Sequence, residues 1–118
     1  MGVTYITGTV RGPTSKEAVV RFLVDSGATY SLLPKAVWET IELAPKRELA
    51  FSLADGTVVR RRVSECYVML PQGEGHTPVI LGEPGDDEPL LGAVTLEILA
   101  LVLHPFSRTL QPMRLLLI

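Results

Sequence analysis

The 118-residue chain has few of the residues that form disulfides or metal clusters, and it has no long apolar run. A single cysteine, Cys66, excludes an intrachain disulfide, and we expect its side chain to be buried. The longest apolar stretches, residues 96–103 and 115–118, are interrupted or short, well below the ~20 residues that a membrane helix needs. His76 and His104 have no carboxylate or cysteine at metal-ligand spacing. We therefore expect no metal, no cofactor and no membrane partner.

The chain also lacks a strong charge of either sign. Lys and Arg number 11 against 13 Asp and Glu, a net charge of −2, so nothing predicts a nucleic-acid partner. Apolar residues make up 47 % and charged residues 20 %, which is typical of a globular protein, and the length suits one domain over residues 1–118. The start, Met-Gly-Val-Thr-Tyr, has no basic segment leading into an apolar one. Without a secretory signal, we expect the cytoplasm.

Glycine and proline are plentiful: ten Gly and nine Pro interrupt runs rich in Val, Ile, Leu, Thr, Tyr and Phe. This pattern predicts an all-β fold with one or two short helices. We expect one helix after Pro34, with Val37, Trp38 and Ile41 packed inward, and another over residues 93–99. The predicted strands cover residues 3–10, 18–24, 30–33, 47–54, 57–63, 65–70, 77–81, 101–104 and 109–118, with loops at 11–17, 72–75 and 82–89.

The strongest hairpin signal in the chain is Asp55-Gly56, flanked by the strands predicted over 47–54 and 57–63. We expect a type I′ turn there, in which both central residues have positive φ. A hairpin of this kind, following a short helix, is a candidate flap over a substrate site.

An apolar, β-prone run ends at Asp25 and is followed by Ser26 and Gly27. Asp-Ser-Gly triplets are common in turns, because Asp and Ser bond their own backbone and Gly accepts positive φ. Here, however, the preceding strand places the carboxylate at the edge of the core, where partial desolvation is costly unless hydrogen-bonding partners are present. Pro-Leu-Leu-Gly at 89–92 then precedes the second predicted helix. This context favours a functional carboxylate over a plain turn.

In these features the chain resembles the retropepsin-like aspartic peptidases, meaning the retroviral proteases and their single-domain bacterial and cellular relatives. The resemblance covers nearly the whole chain and rests on four segments. They are Leu-Val-Asp-Ser-Gly-Ala-Thr at 23–29, Ala-Asp-Gly-Thr at 54–57, Leu-Leu-Gly at 90–92 and Leu-Val-Leu-His-Pro at 101–105. The resemblance implies a closed β-barrel-like fold, in which the Leu-Leu-Gly turn crosses beneath the Asp loop and the flap covers it.

The resemblance also implies an aspartic endopeptidase that hydrolyses peptide bonds in extended polypeptide segments. In such a site two neighbouring carboxylates share one proton: one activates the attacking water and the other stabilises the oxyanion. This chain has one Asp-Ser/Thr-Gly triplet, so a homodimer would bring two Asp25 residues together on its twofold axis. By resemblance, Ser26 braces the two loops and Gly27 allows close backbone approach. These three residues are the predicted catalytic set.

A polypeptide substrate would lie extended between the Asp25 loop and the flap, paired through main-chain hydrogen bonds. The predicted substrate-binding residues come from both sides and are Ala28, Thr29, Asp55, Gly56 and Thr57. Further candidates for the pockets that set the preference are Leu32, Val58 and Val79.

Two features leave their interpretation open. Arg60, Arg61 and Arg62 lie on one predicted strand, whose alternation puts Arg61 on one face and the other two on the opposite face. They indicate either a solvated edge that resists aggregation or recognition of an acidic substrate. The apolar residues 115–118 either join a sheet shared by two subunits or complete the core of one.

Two alternatives to a peptidase are also open. The first is a catalytically weak or inactive retropepsin-fold module for peptide binding or dimerisation, although the presence of Asp25 argues against it. The second is a generic small β-barrel binding domain in which residues 25–27 form a turn. That domain would have an exposed Asp25 and would be a stable monomer.

Overall fold

The computed structural model describes residues 2–117 of the chain. Within them lie nine strands and two helices of six residues each. The strands are β1 (Tyr5–Arg11), β2 (Glu17–Val24), β3 (Ser31–Leu33), β4 (Arg47–Ser52), β5 (Val58–Leu70), β6 (Gly73–Leu81), β7 (Leu90–Leu91), β8 (Leu101–His104) and β9 (Thr109–Pro112). The helices are α1 (Lys35–Thr40) and α2 (Ala93–Ile98). The predicted all-β fold with two short helices is confirmed.

Seven of these strands form one sheet, in the order β1-β2-β7-β3-β6-β5-β4. A further antiparallel pairing between β1 and β5 closes the sheet into a ring, with β4 outside it. Strands β8 and β9 pair in a separate two-stranded sheet. Parallel pairing joins β2 to β7 and β3 to β6. The β2–β7 pairing brings the end of β2 beside residues 90–91, which lie far along the chain.

Alternation along β2 explains how the chain delivers Asp25 to the edge of the core. Val20, Phe22 and Val24 are buried, while Arg21 between them is exposed. Successive side chains on a strand point to opposite faces, so burial of three alternate apolar residues sets the register of the strand. Asp25 therefore stands where the hydrophobic packing ends.

Helix α1 covers one side of the core. Trp38 is 9 % exposed, and its indole N–H donates to the carbonyl oxygen of Gly82 at 2.9 Å. Ile41 is fully buried and Val37 packs against the same cluster, so the predicted inward face of this helix is confirmed. None of the helices within residues 2–117 has the length and apolar character needed to cross a membrane.

Strand β5 is longer than the sequence predicts, because the strands predicted over 57–63 and 65–70 are one strand that begins at Val58. Ser64 lies between the two predicted strands and is 4 % exposed. Its hydroxyl donates to the carbonyl oxygen of Ala44 at 2.6 Å, so the polar side chain is satisfied without a break in the strand. The β4–β5 register includes the arginines at 60–62, whereas the β5–β6 register begins only at Val63. These arginines therefore have a paired strand on one side, and their interpretation as a solvated edge stays a prediction.

Strand β6 begins at Gly73, so the predicted loop over 72–75 is wrong for most of its length. A Cβ on Gly75 would lie 3.2 Å from Cδ2 of Leu99. Glycine in this strand thus admits the close approach of the segment after α2. The turn between β5 and β6 shrinks to the two residues before Gly73.

The β4–β5 hairpin turns through three residues, Ala54, Asp55 and Gly56. Gly56 has a φ of 87°, but Asp55 has no positive φ, so the expected type I′ turn is wrong. The Gly56 amide donates to the carbonyl oxygen of Leu53 at 2.9 Å, and the Leu53 amide donates to the carbonyl oxygen of Thr57 at 2.7 Å. These bonds fit a type I turn followed by one left-handed residue, which needs positive φ at the glycine alone.

The end of the chain forms less strand than the sequence predicts. Strand β9 ends at Pro112, which has no amide hydrogen to donate to a ladder, and residues 113–117 lie in no strand. Residues 115–117 are between 66 % and 98 % exposed. Their predicted role in completing the core of one chain is therefore wrong, and the shared sheet stays a prediction. Ile118 lies outside the described residues.

Candidate active site

The Asp25 loop leaves the end of β2 as a tight turn. The Oδ1 atom of Asp25 accepts a hydrogen bond from the Gly27 amide at 3.0 Å, and its carbonyl oxygen accepts one from the Ala28 amide at 3.1 Å. A Cβ on Gly27 would lie 3.2 Å from that carboxylate oxygen. Asp25 is half-buried, whereas Ser26 and Gly27 are exposed. The loop therefore presents one oriented carboxylate at the surface of the chain.

Strand β7 and the start of α2 support this loop. The Asp25 amide donates to the carbonyl oxygen of Leu91 at 3.0 Å. The first two amides of α2 donate to the carbonyl oxygens of Ala28 and Thr29, at 2.8 and 3.0 Å. The structure thus brings the Leu-Leu-Gly segment at 90–92 against the Asp25 loop, although the two are more than sixty residues apart in the sequence.

Gly92, which lies between β7 and α2, makes this contact possible. A Cβ at this position would lie 2.5 Å from the carbonyl carbon of Tyr30 and 2.9 Å from the amide nitrogen of Ser31. Its φ is −95°, so the position requires space rather than an unusual backbone conformation. Any side chain there would force the turn away from the loop.

Three buried hydroxyl groups join β3, α2 and β6 behind the loop, and the sequence analysis missed them. The Oγ of Ser31 lies 2.5 Å from Oγ1 of Thr95, which lies 2.7 Å from Oγ1 of Thr77. The Oγ of Ser31 also accepts a hydrogen bond from the Gly92 amide at 2.9 Å. All three hydroxyl residues are at most 1 % exposed. A Ser or Thr at an inward-facing position of each element was the signal that could have found them.

A cleft of about 560 Å³ opens between the Asp25 loop and the inner face of the β4–β5 hairpin. Its lining is largely apolar. Of the predicted substrate residues, Ala28 and Thr29 line it, and so does the pocket candidate Leu32. The structure therefore brings the loop side of the predicted substrate site together.

Two pocket candidates are displaced by one residue. Ile80 lines the cleft, whereas its neighbour Val79 is 1 % exposed within the core. Likewise Val59 lines the cleft, whereas Val58 is 61 % exposed on the other face of the hairpin. Because faces alternate along a strand, an error of one residue exchanges one face for the other.

The flap-side residues Asp55, Gly56 and Thr57 form the exposed tip of the hairpin and do not line the cleft of a single chain. The Thr57 amide donates to Oδ1 of Asp55 at 2.9 Å, and this hydrogen bond lowers the pKa of the Asp55 carboxyl. The carboxylate is therefore used within its own turn. The assignment of these three residues to the substrate stays a prediction.

An ion pair connects the hairpin to the acidic loop at 82–89. Nε of Arg61 lies 2.8 Å from Oδ2 of Asp86, and Nη2 lies 3.3 Å from Oδ1. Hydrogen bonding between them is the main reason that the pKa of Asp86 is lowered and that of Arg61 is raised. The Glu83 amide adds a further bond to Oδ2 at 2.9 Å. Both charged side chains line the cleft, so this part of its wall is a neutralised pair.

Comparison with known families supplies the deciding observation. The model of a family described as "gag-polyprotein putative aspartyl protease" matches residues 13–97, well over half of the chain. The chain belongs to this retropepsin-like aspartyl protease family. A comparison with curated proteins finds no match.

The match to the aspartyl protease family contains the Asp25 loop, the β4–β5 hairpin and the Leu-Leu-Gly turn, and it ends within α2. The β8–β9 hairpin and the chain end lie beyond it. Strand β1 lies before the match, so the matched region holds five of the six strands of the ring together with the residues that line the cleft. The exposed apolar end lies outside it.

Other reactive groups of this aspartyl protease domain lie away from the cleft. Cys66 is 3 % exposed, as predicted, and burial raises the pKa of its thiol to about 12, so it is no nucleophile at neutral pH. His76 and His104 are exposed. Among residues 2–117, no three His, Cys, Asp or Glu side chains are grouped so that they could hold a metal ion. The oriented carboxylate of Asp25 is the group from which the chemistry can be built.

Proposed function

We propose that the chain is one subunit of a homodimeric aspartic endopeptidase that cleaves extended polypeptide segments. The observation that carries the proposal is the Asp25 carboxylate, oriented by the Gly27 amide beside a largely apolar cleft. Membership of the aspartyl protease family supports it. An extended peptide in the cleft would pair its main chain with the flap hairpin, as peptides do when they add to a sheet.

The second carboxylate of the proposed site comes from a second copy of the chain. The sequence holds one Asp-Ser/Thr-Gly triplet, formed by Asp25, Ser26 and Gly27. Asp55 accepts a hydrogen bond within its own turn, and Asp86 is paired with an arginine. A twofold axis beside the loop would bring two Asp25 residues together. The exposure of Ser26 and Gly27 leaves the loop free to make that contact.

Exposed apolar side chains near the chain end support dimerisation. Phe106, in the β8–β9 turn, is 93 % exposed, and Leu117 is 98 % exposed. Large exposed apolar surfaces commonly mark sites of association. We propose that residues 115–117 take part in the contact between subunits.

The mechanism follows from placing two carboxylates at one site. Two like charges a few ångströms apart do not both ionise at low cost, so the pair holds one shared proton. The ionised Asp25 accepts a proton from a water molecule as the water attacks the peptide carbonyl carbon. The protonated Asp25 stabilises the oxyanion, and a proton then passes to the leaving amine. Ser26 braces the two loops across the axis.

The proposal is tested by peptide-library cleavage between about pH 4 and 6.5 with the wild type and Asp25→Asn. We expect the substitution to lower kcat/KM at least about 100-fold, because it removes the group that activates water. Asp87→Asn is the matched control, since Asp87 is an exposed aspartate outside the cleft, and it should cut like the wild type. Sedimentation at micromolar concentration should show a dimer.

Two results would contradict the proposal in different ways. A strictly monomeric species that still cuts would remove the paired carboxylates from the mechanism. Cleavage by Asp25→Asn at the wild-type rate would remove Asp25 itself. Peptide binding by the wild type without any cleavage would favour the alternative function, an inactive peptide-binding or dimerisation module.

A further inference from the structure

The inner face of the β4–β5 hairpin carries two arginines. In the antiparallel register Arg47 lies opposite Val63, and Leu49 lies opposite Arg61. Residues directly opposite one another on paired strands share a face. Val63 in turn lies opposite Ile80, which lines the cleft. Arg47 and Arg61 therefore both point to the cleft side of the hairpin.

These two arginines differ in how their charge is balanced. Arg61 is neutralised by Asp86, at 2.8 Å, and lies 3.8 Å from Glu83. Arg47 forms no ion pair with any carboxylate in the part of the chain that the structure describes. Its Nη2 donates instead to the hydroxyl of Tyr30 at 3.2 Å. An unneutralised guanidinium thus lies on the cleft side, held in place by a neutral partner.

Tyr30 connects this guanidinium to the cleft itself. It lines the cleft five residues after Asp25, and its ring meets that of Phe51 edge to face, with centroids 5.9 Å apart. The hydroxyl that accepts from Arg47 is therefore at the border of the substrate space. Arg47 itself is exposed and is not among the residues that line the cleft, so its guanidinium lies at the rim, beside Tyr30. Most of the remaining lining is apolar, so a peptide that extends past Tyr30 would meet a positive charge at this end.

The other arginines of the hairpin are not placed to do this. Arg60 lies on the outer face and is paired with Glu48 at 2.6 Å. Arg62 shares that face, with its guanidinium 5.6 Å from the ring centroid of Trp38. Neither Arg60 nor Arg62 therefore places a free charge on the cleft side, where an acidic substrate would bind.

We propose that Arg47, anchored by Tyr30, is a specificity residue that selects peptide substrates with a Glu or Asp at one fixed position. A guanidinium binds a carboxylate through two parallel hydrogen bonds, which neutral side chains cannot reproduce. The inference rests on the proposed function, since it concerns the substrate of the same cleft. It differs from that function in naming the chemistry of the peptide that is preferred.

The test compares a cleavable peptide with Glu, Gln or Lys placed in turn at each position flanking the scissile bond. At one position we expect the wild-type dimer to cut the Glu peptide about three- to tenfold better than the Gln peptide in kcat/KM, because an exposed ion pair contributes modestly. The ratio should shrink as salt is added. In Arg47→Gln the ratio of kcat/KM for the Glu peptide to that for the Gln peptide should fall to about one. The Arg47→Glu variant should cut the Lys peptide better than the Glu peptide.

Two further variants separate recognition from general damage. Arg60→Gln removes a charge from the outer face of the same hairpin and should keep the wild-type ratio. Tyr30→Phe removes the hydroxyl that holds Arg47 but keeps the ring, so it should lower the ratio without abolishing it. A Glu preference that survives in Arg47→Gln, or no preference at any position in the wild type, would overturn the inference while leaving the peptidase intact.

A binding measurement keeps the inference testable if no peptide is cut. Fluorescence anisotropy of labelled Glu and Gln peptides on the Asp25→Asn protein reports recognition without turnover. Tighter binding of the Glu peptide that is lost when Arg47→Gln is added would support the inference even if the peptidase proposal fails. Equal binding of the two peptides would overturn it.

Discussion

The Asp25 loop and the β4–β5 hairpin face the same cleft, but they are held in different ways. The loop is bonded to Leu91 and to the start of α2, behind which lie hydroxyl groups that are almost wholly buried. The hairpin tip is exposed, and its hydrogen bonds are local, between residues 53 and 57. The Asp25 loop is thus held by contacts with buried elements that are distant in the sequence, whereas the tip of the hairpin is held by its own turn.

The largest effect is expected at Gly92. Gly92→Ala places a Cβ 2.5 Å from the backbone of Tyr30, so we expect a loss of about 3 kcal/mol or more in the free energy of unfolding. Urea unfolding followed by the fluorescence of Trp38, the single tryptophan, measures it at one fixed protein concentration.

The matched variant on the hairpin is Gly56→Ala. Gly56 has a φ of 87° but nothing within 4 Å of its Cβ position, so only backbone strain of about 1 kcal/mol is expected. If Gly56→Ala lowered the free energy of unfolding as much as Gly92→Ala, the contrast between the packed Asp25 loop and the exposed hairpin tip would not hold.

A smaller effect is expected from the hydroxyl network. Thr95→Val keeps the shape of the side chain but leaves the buried hydroxyls of Ser31 and Thr77 short of a partner, at a cost of about 2 kcal/mol. Thr7→Val is the control, because Thr7 is exposed on β1 and the substitution should change stability by no more than about 0.5 kcal/mol. Equal urea midpoints for the two variants would show that the hydroxyl network does not stabilise the structure behind the Asp25 loop.

The smallest effect is expected at the link between the hairpin and the acidic loop. Asp86→Asn should cost about 1 kcal/mol at pH 6, since the side chains of Arg61 and Asp86 are 21 % and 23 % exposed. The pKa of Asp86 is lowered from its usual 3.8, so the pair stabilises the fold above that pH. The stabilisation is lost as the pH falls through the lower value of the folded state.

Urea unfolding at pH 6 and at successive steps below pH 4 measures this difference. The gap between the wild type and Asp86→Asn should be full at pH 6 and should close on acidification. The control is Arg60→Gln, whose exposed pair with Glu48 should contribute less than about 0.5 kcal/mol at any pH. A gap that stays constant with pH would mean that Asp86 acts through packing rather than charge.

Much of the fold could be predicted from local pattern, and the errors have physical causes. The strands next to the Asp25 loop follow alternation, which is a property of the chain itself. Ser64 and Gly75 were misread as breaks because a polar residue and a glycine are tolerated in a strand only when a distant partner accepts them. Those partners, Ala44 and Leu99, are not evident from the local sequence.

The candidate site likewise has parts that local sequence predicts and parts that depend on strand pairing. The loop at 25–29 and the Leu-Leu-Gly segment were found from the sequence, because each is a motif of consecutive residues. Val59 and Ile80 were missed by one residue, since which face of a strand meets the cleft depends on how the strands pair. The hydroxyl network was missed because its three members are separated by up to 64 residues.

The sequence by itself determined which carboxylate is the candidate for the chemistry and that the chain holds a single Asp-Ser/Thr-Gly triplet. An apolar strand that ends in Asp25-Ser26-Gly27 is a local feature, and the count of such triplets needs no structure. Only the tertiary structure decided what surrounds that carboxylate and which of the hairpin's arginines face the cleft. Strand pairing and side-chain burial join residues that are distant in the sequence, so their outcome can be read only from the folded chain.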